Sequence, residues 1–209
     1  TLVRSQLNPI KSIYSADEAF YLLSLQDSQT VYCFDMRGSL PDGANRVTTW
    51  AGVNPRSLAL LQDGSIYFGR EDGIFKYEGY QDNGSSYLMS YYSNPLNFGN
   101  STNLKFLKKF NITVIGNVAA QTTLAWGYDY EGGFTKKAFS TELANTPISE
   151  FNVAEFSIGK YTIGTDIQRP KINTSGSGTV VTIGIESNIN GAPYSIQQID
   201  VHALLGRLI

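Results

Sequence analysis

Phe20-Tyr-Leu-Leu-Ser-Leu-Gln-Asp-Ser-Gln-Thr-Val-Tyr-Cys-Phe-Asp-Met-Arg37 and Ser65-Ile-Tyr-Phe-Gly-Arg-Glu-Asp-Gly-Ile-Phe-Lys-Tyr-Glu78 are two versions of one pattern, a pair of short apolar strands around an acidic turn. Val31-Tyr32 and Ile74-Phe75 stand 43 residues apart, inside the period of roughly 40–50 residues that four-stranded propeller blades give. Closure of a propeller takes at least about four blades. Two blade-like hairpins therefore predict part of a propeller rather than a whole one.

Working outward, the strand signals continue. Asp63-Gly64 and Asp72-Gly73 each separate two apolar runs, the strongest short-range hairpin signal in a sequence. They divide Ser57 to Glu78 into three strands: Ser57 to Gln62, Ile66 to Arg70 and Ile74 to Glu78. Before them, Asn8-Pro9 leads into the first hairpin, residues 18–37, whose turn is Gln26-Asp27-Ser28-Gln29. Gly38 to Gly43 is dense in turn formers, and Val47-Thr48-Thr49-Trp50 is expected to start the next blade. The polar, Gly-rich stretch Gly79 to Ser86 ends the repeat, so the expected domains are residues 1–79, partial β-propeller blades, and 87–209.

Beyond the break, longer strands are predicted at Tyr87 to Tyr92, Leu104 to Ile115, Thr122 to Tyr130, Phe134 to Ser140, Glu155 to Ile163, Val180 to Glu186 and Ser195 to Leu204. Residues 141–154 read as a long loop, and Lys171 to Gly178 and Ile189 to Pro193 each as a hairpin turn or loop. Seven strands separated by turn signals fit an antiparallel β-sandwich. The composition agrees with an all-β class. Among 209 residues there are 13 Tyr, 11 Phe and 20 Gly, with many Thr, Val and Ile, which favour strands and tight turns. With 42% hydrophobic and 16% charged residues, the chain has enough apolar material to fold around a core.

Charge and cysteine content narrow the functional classes. A net charge of −2 and a pI near 5.4 argue against a surface that grips nucleic acid through clustered Lys and Arg. A mildly acidic surface does suit a protein that DNA must pass without sticking. Cys33 is the only cysteine; set between Tyr32 and Phe34, it reads as a packed thiol and cannot form an intramolecular disulfide. No apolar run reaches the roughly 18 residues of a membrane helix. Thr1 in place of Met, with no signal-peptide pattern, leads to the expectation of a processed or truncated product.

No residue set points to chemistry. His202 is the single histidine, which cannot build a multi-His metal site, and no Gly-x-Ser-x-Gly elbow presents a nucleophile. The carboxylates Asp17-Glu18, Glu71-Asp72, Asp129, Glu131, Glu150 and Glu155 leave open a glycosidase pair. Several of them sit in turns, where carboxylates are usually solvated. Lys105, Lys108 and Lys109 are the one tight basic cluster. In a strand Lys105 and Lys109 share a face and Lys108 points away, as expected of a solvated edge strand that resists sheet-to-sheet pairing; a subunit or phosphate contact is the alternative. Tyr80, Tyr87, Tyr91 and Tyr92 read either as sheet packing or as a saccharide platform. The expectation is therefore no catalytic residues, no metal, no cofactor and no small-molecule substrate.

The hairpin Ser65 to Glu78, followed by Tyr91-Tyr-Ser-Asn-Pro-Leu-Asn-Phe-Gly99 and Leu104-Lys-Phe-Leu-Lys-Lys-Phe110, resembles the distal half of tail tube proteins of short-tailed bacteriophages. The ending Ser195-Ile-Gln-Gln-Ile-Asp-Val-His-Ala-Leu-Leu-Gly-Arg207 is similar to the C-terminal strand of the same group, which includes tail nozzle (tail tubular protein B-like) and stopper or packaged-DNA stabilisation proteins. The resemblance implies a homohexameric ring in the virion tail, built with other tail proteins around a channel. That channel retains packaged DNA and conducts it into the host on ejection. This chain has too few blades for a full propeller, which makes it a C-terminal part in this reading. The alternatives from the residues alone are an adhesin or carbohydrate-binding module and a glycan-cleaving enzyme.

Overall fold

The computed structural model describes residues 10–25, 29–40, 43–116, 120–140 and 166–208. The expected lead-in at Asn8-Pro9, most of the first turn, the loop at 141–154, the strand Glu155 to Ile163, and Glu150 and Glu155 lie outside the described residues. Every described element is a strand, all pairings are antiparallel, and among the described residues no sheet closes into a barrel. The class is all-β. The chain divides into two compact units, Thr1–Glu78 and Gly79–Ile209.

The first unit holds two sheets. β1 (Lys11–Ser15), β2 (Phe20–Leu25), β3 (Thr30–Ser39) and β4 (Asn45–Ala51) form one sheet in chain order. β5 (Ser57–Leu60), β6 (Ile66–Gly69) and β7 (Ile74–Lys76) form a second. Along β2 the period-2 pattern buries Phe20, Leu22 and Ser24, and along β6 it buries Ile66 and Phe68. These apolar residues and Val31 make one hydrophobic cluster, with Trp50 packed against it. Phe20, Trp50, Phe68 and Tyr77 interlock there: Trp50 and Tyr77 stack at 5.5 Å, and Phe20 meets both edge-on at 6.2 and 5.7 Å. Such aromatic pairs add about 0.5–1.5 kcal/mol each beyond area burial.

One expectation from the sequence fails in this unit. Val47 to Trp50 does not open a new blade: as part of β4 it pairs with β3, Val47 opposite Phe34 and Trp50 opposite Val31. The alternation that places Trp50 on the buried cluster makes the segment the fourth strand of the first sheet. The segment before residue 17, which carries no clear strand signal, supplies the first strand, Lys11–Ser15, paired with β2.

The second unit also holds two sheets. One is ordered β11 (Thr135–Ser140), β10 (Gln121–Tyr128), β15 (Val181–Ile189), β8 (Tyr87–Tyr92). The other is built on β9 (Asn103–Gly116), which pairs along one edge with β16 (Tyr194–Leu208) and along the other with β12 (Asp166–Gln168), β13 (Lys171–Asn173) and β14 (Ser177–Gly178). Leu107, Phe110, Ile112 and Val114 of β9, Ile172 of β13, Leu124 and Trp126 of β10, and Val181 and Ile183 of β15 share one hydrophobic cluster, so both sheets face the same core.

β9 overturns the edge-strand reading of its lysines. It is the central strand of its sheet, and its buried residues change phase midway: Lys105 and Leu107, then Phe110, Ile112 and Val114. The cause is a bulge. Lys109 pairs with His202 and Leu107 with Ala203, which leaves Lys108 without an opposite residue. Lys105 is consequently buried, Lys108 exposed and Lys109 half-buried. The stretch from Lys171 to Gly178 is likewise not one turn, since β13 and β14 both pair with β9.

Candidate functional site

In the first unit, Asp17, Glu18, Asp63 and Glu78 surround an open pocket of about 290 Å³ together with Lys76. Two of these carboxyls have assigned partners. Asp63 accepts from Ser65 N at 3.0 Å and from Ser65 Oγ at 3.1 Å, which holds its pKa below the ordinary carboxylate value. Glu78 pairs with Lys76 at 2.7 Å. The carboxyl groups whose acidity departs from the ordinary value, Asp35, Asp63, Asp129 and Glu186, are all shifted downward. A glycosidase acid needs the opposite shift. Among the described residues no group of three or more His, Cys, Asp or Glu is placed to hold a metal ion. Cys33 is half-buried, and burial raises its thiol pKa, which disfavours the nucleophilic thiolate. His202 is exposed on β16, with Nε2 2.9 Å from Asn111 Nδ2.

Tyr87 and Tyr91 share one face of β8. Tyr92 and Tyr91 are successive residues of β8 and so point to opposite faces. Tyr92 lies opposite Gly184, where a Cβ would stand 2.3 Å from the ring. The glycine is what lets the ring lie flat on its own sheet. The Tyr92 hydroxyl donates to Glu186, Lys136 Nζ donates to the same carboxylate at 3.0 Å, and Phe134 meets the Tyr92 ring edge-on at 5.2 Å. Tyr92 is thus committed to a local network.

Three loops meet at one end of the second unit. Lys105, with no exposed surface, donates from Nζ to the backbone carbonyls of Asn100 and Thr179. Asp129 takes the other side of the same peptide region: its Oδ1 accepts from Thr179 N and Thr179 Oγ1, both at 2.6 Å, and from Val180 N at 3.2 Å. These bonds, the Thr179 hydroxyl first, with a smaller contribution from the nearby Lys105 charge, lower the Asp129 pKa. Asp129 is the exposed turn carboxylate that its position beside Gly132-Gly133 suggested, and it also ties that turn to Thr179 and Val180.

The neighbouring segment Thr174-Ser-Gly-Ser-Gly178 is moulded onto two rings. Trp126 Nε1 and the Tyr128 hydroxyl both donate to Ser175 O, at 3.1 and 2.8 Å. A Cβ on Gly176 or Gly178 would come within 2.5 or 2.7 Å of Tyr128. Burial pushes the Tyr128 phenol up to about 12 from its ordinary 10.0. Because the folded-state value is the higher, this contribution to stability is complete below pH 10 and is lost as pH rises toward 12. A chemical-denaturation series between pH 8 and 12 is expected to show that loss, and Tyr128→Phe to flatten this part of the curve.

Of the residues singled out in the sequence, the three-loop end brings together Lys105 and Asp129, while His202, Cys33 and the acidic pairs have their own separate partners or surroundings. The bonds that Thr179 and Asn100 make to Lys105 carry no sequence signal, because each is made through a backbone carbonyl. No protein-family model matches this sequence, and no curated protein is significantly similar to it.

Proposed function

We propose that the chain is a structural component of the tail of a short-tailed bacteriophage, forming part of the channel that retains packaged DNA and conducts it into the host. In this reading the first unit is a run of partial β-propeller blades and the second an antiparallel β-sandwich. The protein is a homohexameric ring bound to other tail proteins, and it has no chemistry of its own.

The observation that carries the reading is the pair of meanders in the first unit. A four-stranded sheet in strict chain order shares one core with a second, three-stranded meander. Repeats of this kind bury a continuous core by stacking on further copies. The loose similarity of residues 57–209 to tail tube proteins adds to it, as does the mildly acidic balance of the chain, which limits adhesion to passing DNA. Ring assembly would proceed through heterologous contacts that close with cyclic symmetry. Gold-labelled antibody against the chain is expected to decorate the tails of virions of the phage whose genome encodes it. Label on heads alone, or on no particle, would overturn the reading.

A further inference from the structure

Both outer strands of the β11-β10-β15-β8 sheet have an open edge: among the described residues β8 pairs with β15 alone and β11 with β10 alone. In an antiparallel ladder the N–H and C=O of one residue point to the same side, and successive residues alternate. Ser93 N donates to Ile183 O at 2.8 Å, so Tyr87, Met89 and Tyr91 turn their peptide groups toward β15. Leu88, Ser90 and Tyr92 turn theirs outward. Beyond Ile183, the next residue Gly184 bonds toward β10 opposite Ala125, and Leu124 in turn bonds toward β11 opposite Lys137. Lys136, Ala138 and Ser140 are therefore the outward residues of β11.

The two edges match in geometry and differ in charge. Each strand has six residues and three outward peptide units. The four strands alternate in direction, so β8 and β11 run opposite ways, and a second copy laid beside the first about an axis along the strands brings its β11 antiparallel to β8. Setting Leu88, Ser90 and Tyr92 against Ser140, Ala138 and Lys136 of that copy pairs every outward residue. It also keeps the faces in phase: Met89 and Tyr91, on the core-facing side of β8 with Ser187 and Ile185, come beside Phe139 and Lys137, on the core-facing side of β11 with Thr122 and Leu124. Sheets commonly blunt an edge with lysine. β11 carries exposed Lys136 and Lys137, whereas β8 is uncharged, with Leu88 63% and Tyr91 61% exposed. Two β11 edges would oppose like charges, which destabilises pairing; a neutral β8 does not.

We infer that the open edge of β8 receives β11 of a second copy of the chain, so that the sheet runs on from one copy into the next. A row of free N–H and C=O groups is matched by an extended strand, the mode of β-strand addition, and direction, length and charge select β11 as that strand. The inference rests on the ring reading, because it supplies the heterologous contact: a pair joined this way still has one β8 edge and one β11 edge open, and addition continues until the ring closes. Pairing of β8 with β8 would instead stop at a two-fold dimer.

Cross-linking of the full chain tests it. Ser90 and Ala138 of neighbouring copies form a hydrogen-bonded pair in this register, with Cα atoms about 5.5 Å apart, inside disulfide range. Within one copy β15 and β10 lie between them, three strand spacings or about 14 Å, so the bond forms only between copies. Mild oxidation of the Cys33→Ser, Ser90→Cys, Ala138→Cys protein is expected to give a ladder of covalent multimers, and each single-cysteine control only monomer. Ser90→Pro removes an N–H that faces away from β15, a place where an edge strand accepts proline. It is expected to keep the thermal midpoint and to weaken association at least about tenfold, or about 1.4 kcal/mol. Rings in the electron microscope that give no ladder and survive Ser90→Pro would overturn the inference and leave the channel reading standing. A ladder from open filaments without rings would uphold the edge pairing and overturn the channel reading. Covalent dimers from Ser90→Cys without Ala138→Cys would show β8 against β8 and overturn the inference.

Discussion

Lys105→Ala is expected to destabilise the second unit by about 3–5 kcal/mol, through a cavity and two buried carbonyls left without donors. The ammonium has no exposed surface and satisfies Asn100 O and Thr179 O. Removing it uncouples the loop before β9 from the turn before β15. Lys105→Met separates the two contributions. It keeps most of the stem and lacks only the donors, so its expected cost is about 1–3 kcal/mol. Each unit has one tryptophan, Trp50 in the first and Trp126 in the second, so urea unfolding of the Trp50→Phe protein reads the second unit alone. Amide exchange at Thr179 and Val180 is expected to rise in both Lys105 variants more than at Ile112 to Val114 in the middle of β9.

The second large effect belongs to Phe110, which is fully buried where β9 crosses the core and lies 6.2 Å from the Trp126 ring. Phe110→Ala is expected to cost about 3–5 kcal/mol and to shift the Trp126 fluorescence transition accordingly. The Trp50 transition, measured with Trp126→Phe in the background, is expected to keep its midpoint, because the Phe20, Trp50, Phe68 and Tyr77 cluster is complete within the first unit.

Where a local signal acts locally, the sequence was readable. The Asp-Gly pairs placed the β5, β6 and β7 boundaries to within two residues, and apolar alternation located β2, β9, β10 and β15. What escaped depends on pairing at a distance. Val47 to Trp50 is a strand by any local criterion, but that it pairs with β3 is decided by Trp50 reaching the Phe20 cluster. A single bulge at Lys108 inverted the facing of the lysine cluster, and period-2 counting has no term for an extra residue. Lys105 was the largest surprise. A lysine in a strand is normally solvated, and its partners are backbone carbonyls brought in by loops, one of them far along the chain. Asp129 is the exposed turn residue that its neighbouring glycines suggest, but its partners, 50 and 51 residues on, have no local signal.

The loop end shows a further reason for the limit. Phe98 and Tyr130 look like ordinary aromatic residues in sequence; their positive φ and exposure come from loops locked by Lys105 and Asp129. The repeated hairpins of the first unit were visible at once, whereas the contacts that such a unit makes with other copies are a property of assembly. For a channel-forming tail protein, the proposed function, that assembly is a ring.

Electron microscopy of the full-length protein tests this most directly. Class averages are expected to show closed rings with six-fold symmetry and a central channel. Monomers alone at high concentration, with no ring in any context, would contradict the proposed function.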